Sequence, residues 1–576
     1  MSQPPPPPGF GPPQPPPQGG FGPPPSFPPH GPQVPQPPHG PQVAHGPQGP
    51  PGAPGHGIPQ GAHGYGPYAA QQPLGPPGPP GPPLPAGPPA PQGSGGGRRT
   101  RIRIVVAAVT AMAAIIGAGV WYSATRDEGA PAAQESRERA KGSGGEESGG
   151  KGAPGGGGSE KAPADVAARL SFRLPEPPVE DITDVGGSWA TEKLVVKPAI
   201  HAIVGHRPKD GSTAWKLTLP GQICAASRHQ SEDGRAAIVF EAAKRTAPRY
   251  YQPCTEVGVV DLHTGELLWR KSVTSALSGD EKVSFSEVTQ SGRTVAAGGV
   301  SGGAAFDLAG GDVLWKPSAA DDGCYDRGYA GGPALVAVRQ CGSPSDPRFT
   351  VQRVDPRSGR PVFSYRLPDG TDNVSVVSAE PLVVAADVGD NAGAGGFSDL
   401  FSVDGKGRQL ARIPATGDAF AADCRVTEVE GCERIAVGNG RVYLPTAERE
   451  GASGFRNTND LVSYDLASGK PTSDRLEAGD KHMIYPLRMD GGNVIAYRGP
   501  SYESGGRVLS VDGGTFRPTV LMTNPDEKEA LAAENSFAGG GDEILYDRGR
   551  LYLSATLMNK STAPDRHLIL AYTTAD

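Results

Sequence analysis

The sequence predicts an all-β fold: an eight-bladed β-propeller of four-stranded blades, with seven as the alternative count. A disordered Pro/Gly-rich tail and one transmembrane helix are expected to precede it. Three observations lead there. Gly-Glu-Leu-Leu-Trp at Gly265–Trp269 recurs as Gly-Asp-Val-Leu-Trp at Gly311–Trp315. An Asp closes a strand-like run at Asp261, Asp307, Asp355, Asp404, Asp465 and Asp512, at intervals of 46, 48, 49, 61 and 47 residues. Short apolar runs such as 236–240, 333–338 and 382–386 lie between, without a convincing amphipathic helix. A unit of this length cannot bury a hydrophobic face alone and must stack on its neighbours, and four short strands per unit is the period of a propeller blade.

Each repeat reads as a hairpin. The Asp side chain bonds its own backbone near the turn, a Gly takes the positive φ, and the chain returns as a strand. Gly265 and Gly311 fill the Gly role, as do the Gly residues after Asp355, Asp404, Asp465 and Asp512; Asp210-Gly211 adds one more unit upstream. The return strand carries a large apolar residue at Trp215, Trp269, Trp315, Phe363 and Phe516, with Leu410 in the corresponding place after Asp404. The last strand-like run, through Tyr572, ends the chain without a return strand. Gly187-Ser188-Trp189 is expected to supply it, so that Trp189 and Tyr572 close the ring and leave no long open edge.

The 84 Gly and 64 Pro of this 576-residue chain are too many for one compact body, and they gather at the front. Residues 1–97 hold no Asp, Glu, Lys or Arg and too little apolar side chain to offset the entropy of ordering, so a disordered cytoplasmic tail with polyproline II bias is expected. A basic juxtamembrane cluster, residues 98–103, contributes Arg98, Arg99, Arg101 and Arg103. The uncharged run 104–124 matches the ~20 residues that cross a bilayer core, and it ends in Trp121-Tyr122, an interfacial pair. Four positive charges before the span against Arg126 just after it place the N-terminus inside and residues 169–576 outside. Residues 125–168 read as a flexible Gly/Ser/Glu/Lys-rich linker; about 40 such residues span roughly 35 Å.

All six cysteines follow the span. Three local couples, Cys224–Cys254, Cys324–Cys341 and Cys424–Cys432, fit a disulfide set in an oxidising compartment, although six cysteines permit 15 connectivities. No CxxC or Cys/His cluster offers a zinc site. The four arginines of the first 124 residues leave the rest of the chain at −11, against −7 overall. An acidic exterior argues against nucleic acid as a partner.

The Asp-Leu-x-Thr-Gly-x-Leu-Leu-Trp form at Asp261–Trp269 resembles the pyrroloquinoline-quinone-like (quinoprotein-type) propeller repeat. The resemblance spans roughly residues 185–576 and implies a propeller. Its members include cofactor-dependent alcohol dehydrogenases, assembly proteins of the bacterial envelope and extracellular binding modules. The dehydrogenases carry adjacent cysteines at the cofactor; this chain has no Cys-Cys pair, and no segment matches their calcium ligands. No cofactor, metal or catalytic residue is therefore expected.

Three further motifs carry no expected site. Gly299-Val300-Ser301-Gly302-Gly303 fits the nucleophile pattern G-x-S-x-G but joins two strands, where no elbow exposes the serine. Residues 145–151 imitate a phosphate loop without its Ser/Thr or flanking elements. Asp387 to Asn391 misses the calcium-loop spacing. The expected function is a membrane-anchored, extracellular binding or scaffold propeller without catalysis. Its partner is an unidentified protein or cell-wall ligand on the propeller face, sought first in the 61-residue interval with Cys424–Cys432 and Glu448 to Asp460. A polyproline-binding partner of the tail is the second expectation. The alternatives are a quinone-dependent oxidoreductase and a transmembrane relay.

Overall fold

The protein's computed structural model describes residues 158–575, apart from 248–250, 276–279, 318–323, 344, 394–395, 417–418, 455, 538–540 and 561–565. The expected tail, the arginines Arg98, Arg99, Arg101 and Arg103, the apolar run 104–124 and the linker as far as residue 157 lie outside the described residues. Among the described residues no helix is long and apolar enough to cross a membrane.

Short runs rich in Val, Ala and Phe pair with their sequence neighbours, and eight four-stranded antiparallel sheets result among the described residues. Blade 1 comprises Trp189–Ala190, Val195–Ala199, Ala202–His206 and Thr213–Thr218. Blade 2 runs from Ile223–Gln230 to Leu267–Lys271, blade 3 from Glu287–Ser291 to Val313–Trp315, and blade 4 from Tyr325–Ala330 to Pro361–Arg366. Blades 5, 6 and 7 begin with Thr371–Ala379, Ala436–Gly438 and Ile484–Asp490. Blade 8 holds Glu543–Asp547, Arg550–Ser554 and His567–Thr573. The count is eight. We letter the strands of a blade a to d from the inside outward.

Ring closure differs from expectation. The fourth strand of blade 8 is Arg169–Pro175, with Leu170 opposite Tyr572 and Phe172 opposite Ala571. Trp189 instead opens blade 1, opposite Val196; it is buried, and its indole N–H donates to the Ser227 carbonyl at 2.9 Å. Arg-Leu-Ser-Phe-Arg-Leu-Pro does alternate, but an outermost strand is half exposed and carries no Trp, so its signal was weak. The chain is also held well before residue 169. Ser159 N–H and hydroxyl and Glu160 N–H donate to Asp490, and Arg488 donates to Glu160 at 2.6 Å.

The repeat makes sense between blades rather than within them. A Cβ on Gly265 would lie 2.3 Å from the Trp215 ring of the preceding blade; one on Gly311 would lie 2.6 Å from Trp269, and one on Gly359 2.6 Å from Trp315. Each aromatic therefore docks flat on the next blade's c–d turn, where only Gly leaves room and also accepts φ near +70°. The indole of Trp269 donates to the Leu308 carbonyl at 2.8 Å, and that of Trp315 to the Pro356 carbonyl at 2.9 Å. Phe172 of blade 8 continues the series against Gly211 of blade 1. The core is accordingly a set of layers between blades, such as Val257, Val259 and Trp269 of blade 2 against Val295, Ala297 and Phe306 of blade 3.

Three repeat positions differ from their expected roles. In blade 5 Ala411, opposite Ser402 and against Gly469, holds the place of the aromatic, and Leu410 stands one residue before it, half exposed. In blade 1 the residue that starts the turn is Arg207, whose carbonyl accepts from Gly211 N–H as Asp261 accepts from Gly265; Asp210 sits later in the turn and accepts from Ser212 N–H. In blade 7 Phe516 occupies the Gly place at φ 57°, stacked on Tyr443 at 6.2 Å, rather than standing in the return strand. The other turn carboxylates behave as drawn: Asp261 accepts from His263 and Thr264 N–H, Asp307 from Ala309 and Gly310, Asp355 and Asp465 from the Ser three residues on, Asp404 from Lys406 and Arg408, and Asp512 from Gly514 and Thr515. Among the described residues one helix, Lys528–Asn535, stands between blades 7 and 8, where the apolar pattern shows no helix.

Candidate ligand cavity at the loop-rich face

In an antiparallel meander the a–b and c–d turns fall on one face, and the b–c and d–a connections on the other. All the Asp–Gly turns therefore share the first face. The second collects the insertions, and its centre is where the innermost strands enclose a channel.

That channel is plugged. Between blades 5 and 6 the strands Asp423–Cys424 and Cys432–Glu433 pair with the two cysteines opposite each other, bonded as a disulfide. The tip of this hairpin is tied to four other blades. Glu430 accepts from His229 at 2.7 Å and from the Thr289 hydroxyl at 2.6 Å. Val429 N–H donates to Glu287 at 2.8 Å, while its carbonyl receives Val376 N–H. Arg228 reaches the Cys432 carbonyl and Arg327 the Val426 carbonyl, both at 2.6 Å. The other two disulfides are Cys224–Cys254 and Cys324–Cys341.

Beside the plug a cavity of about 480 Å³ remains, lined by the innermost strands of blades 2, 3, 7 and 8, by the plug and the residues leading into blade 6, and by the residues before blade 1. Its wall is charged. Burial works against ionisation of Glu543, but the nearly inaccessible Lys197 ammonium at 3.0 Å, the Ser188 hydroxyl and Gly187 N–H outweigh it and hold the carboxyl low. Glu430 is likewise opposed by burial and rescued by His229 and Thr289. Burial pushes Glu287 up to about 8, only partly countered by Val429 N–H. Asp184 and Asp542 are each pushed up to about 6, chiefly by burial, and neither has a cation in salt-bridge contact among the described residues. The wall thus mixes satisfied ion pairs with carboxylates whose hydration a polar or cationic ligand would replace.

A smaller cavity of about 240 Å³ adjoins it, sharing Arg434, Tyr485 and Ile544. Arg434 lies over the Tyr485 ring at 4.3 Å, between the two. The far wall comes from the second insertion, in which Arg449–Glu450 pairs with Asn457–Thr458, and from Phe537 beyond the helix. Both insertions of the 61-residue interval therefore meet at one place.

The repeat residues Asp210, Asp261, Asp307, Asp355, Asp404, Asp465 and Asp512, with their Gly and aromatic partners, lie on the opposite face or in the layers between blades; they build no site. Ser301 sits in the two-residue turn between Thr294–Gly299 and Gly302–Asp307, its hydroxyl accepting from Ser284 N–H. Asp387 accepts from Asn391 and Ala392 N–H as a loop-closing group. Cys224, Glu241 and Cys254 fall within ligand distance of one another, but both sulfurs are spent in a disulfide and offer no thiolate. Asp184, Glu287 and Asp542 had no sequence signal, being isolated acids on separate strands and connections.

Eight four-stranded blades, five of which dock an aromatic on the next turn's Gly, make an eight-bladed β-propeller. Residues 253–512 match the family model described as outer membrane protein assembly factor BamB. Among solved structures, BamB from Moraxella catarrhalis is similar at 11% identity and a TM-score of 0.36, covering 69% of this chain and 99% of its own. The Cps50 (Swd1) β-propeller domain of Myceliophteria thermophila is similar at 9% identity and a TM-score of 0.32, covering 61% and 98%. The dihydro-heme d1 dehydrogenase NirN follows at 12% identity and 0.35, covering 64% and 78%. No curated protein matches the chain.

Proposed function

We propose that this protein is a membrane-anchored binding or scaffolding propeller displayed outside the cell, and that it works without catalysis. The observation that carries this reading is the plug. A disulfide-clamped hairpin braced by ion pairs and hydrogen bonds turns an open channel into a walled, charged recess on the face where the insertions gather. Rigid fixed charges in a concave site favour recognition, since the ordering cost is already met before the partner arrives. The apolar run 104–124, its four preceding arginines and three oxidised cysteine pairs support the placement outside a membrane. The partner is a protein or cell-wall component presenting polar or cationic groups to the recess.

Two measurements test this. Protease added to intact cells should cleave residues of the propeller and spare a tag at residue 1; the reverse pattern would overturn the topology. Proximity labelling from the propeller should enrich a defined partner set that is lost on deleting 448–460 or on Arg434→Glu. An unchanged set in both variants would remove the recess as the binding site.

A further inference from the structure

Blade 7 carries a charge arrangement that its own fold does not explain. Arg498 and Arg507 stand directly opposite each other in the ladder of its two middle strands, the last pair before the connection 499–506. Tyr497 and Val508 pack into the layer toward blade 8, whereas Ala496 and Leu509 pack into the layer toward blade 6. By alternation both arginines project toward blade 6, on one face. Like charges directly opposite in a ladder destabilise it.

Neither guanidinium has a carboxylate partner among the described residues, and the Nε–H of each is buried without an acceptor. Other arginines of the propeller are matched, Arg339 with Asp326 at 2.8 Å, Arg412 with Asp399 at 2.6 Å and Arg441 with Asp474 at 2.5 Å, or lie over a ring, as Arg327 does on Phe349 and Arg434 on Tyr485. A third guanidinium joins the pair. Arg456 donates to the Pro500 carbonyl and to Asn535, lies over Tyr502 at 4.3 Å, and also has no acid. Buried His482 sits among them, its Nδ1 against the Gly499 carbonyl at 2.8 Å. Burial, and then the fields of Arg498, Arg507 and Arg456, hold its imidazole below the usual range, against the opposing Gly499 carbonyl. The acids of this neighbourhood are engaged: Glu503 with Lys481 at 3.0 Å, and Glu534 with the Tyr497 hydroxyl, Asn524 and Gly506 N–H.

We propose that Arg498 and Arg507, with Arg456 at the rim, form a binding site for a phosphate group on the loop-rich face of blade 7. Two forked guanidiniums on one face match the oxygens of a tetrahedral oxyanion, which would supply the missing acceptors and cancel the repulsion. The chain as a whole carries −7, so general electrostatics repel an anion and only a built site would hold one. The phosphate is either free or terminal, or part of a phosphodiester polymer or headgroup.

The test uses the full chain in detergent, titrated with inorganic phosphate and with dimethyl phosphate against chloride at equal ionic strength, read by calorimetry and by melting temperature. Saturable binding is expected, together with a rise in melting temperature. Arg498→Gln and Arg507→Gln should each weaken binding roughly tenfold or more, the loss of a charge-assisted hydrogen bond. In chloride alone both variants should melt no lower than the wild type, since they relieve a repulsion; this keeps a folding defect distinguishable from a lost site. Arg507→Lys, which keeps the charge and loses the fork, should bind more weakly than the wild type. Arg517→Gln, on the opposite face, should change nothing. Preference for inorganic phosphate assigns a free or terminal group, and equal binding of dimethyl phosphate assigns a diester. No saturable binding to the wild type, or equal binding by the two Gln variants, would overturn the proposal.

Discussion

The two faces of the propeller are built by opposite rules. On the turn face, one device recurs, complete in blades 2 to 5: an Asp that satisfies its own turn, a Gly at positive φ, and an aromatic from the preceding blade lying on that Gly. On the loop face nothing repeats. There the plug hairpin, the 449–458 hairpin and the helix Lys528–Asn535 each occur once, and they bring together charges that are far apart in the chain, such as His229 and Glu430. The lesson is that repetition marks the residues that hold blades together, while the unique segments mark where the molecule meets something else.

The largest break in this comparison should come from the aromatic. Trp269→Ala removes a buried ring and its bond to Leu308, and should cost roughly 3–5 kcal/mol in denaturant unfolding. Leu410→Ala, half exposed beside Ala411, which holds the docking place in blade 5, should cost under about 1 kcal/mol. Equal losses would mean that the docking series does not organise the ring.

Glycine sharpens the contrast. Gly265→Ala incurs both the left-handed penalty of about 1–2 kcal/mol and overpacking against Trp215 of about 1–3 kcal/mol. Gly370, on the loop face at φ 77°, has nothing within 4 Å of an added Cβ, so Gly370→Ala should show only the first, about 1–2 kcal/mol. Melting curves of the two variants decide it.

Removing the clamp tests the loop face itself. The Cys424→Ser/Cys432→Ser double variant opens a loop of 8 residues' separation and should lose roughly 2.5 kcal/mol by loop-closure entropy. Hydrogen exchange should then speed up at residues 425–431 and stay slow in the middle strands of blade 3. Uniform acceleration across the blades would show that the plug is part of the ring's core instead.

A last contrast depends on pH. Glu287 in the folded state titrates at about 8, against 4.5 when exposed, so the folded protein holds a proton that the unfolded chain releases. The wild type should therefore lose this contribution as pH rises from ~4.5 through 8. Glu287→Gln cannot ionise, and its urea midpoint should exceed the wild type's at pH 9 while approaching it at pH 4. A difference independent of pH would sink the assignment.

Much of the architecture was legible. The Asp intervals, the Gly–Trp echo and the even set of cysteines led to an eight-bladed ring, the alternative of seven aside, and to the three pairings now seen. What misled was local likeness. Asp210-Gly211 looks like the other turns, yet Arg207 begins that one; Phe516 looks like a return-strand aromatic, yet it takes the Gly place. The closing strand differs from expectation because Trp189 advertises itself, whereas the outer strand Arg169–Pro175 buries Phe172 but leaves Leu170 exposed and Leu174 half-buried. The cavity acids gave no signal, since no spacing rule links residues on separate strands and connections.

The sequence alone determined which residues form strands and turns, because period, turn chemistry and apolar alternation act over a few neighbouring positions. Only the tertiary structure decided which aromatic rests on which Gly, which terminal strand shuts the ring, and which charges share the recess. Those outcomes depend on how blades stack around an axis, and a linear spacing does not carry the distance between strands that the stacking alone makes adjacent.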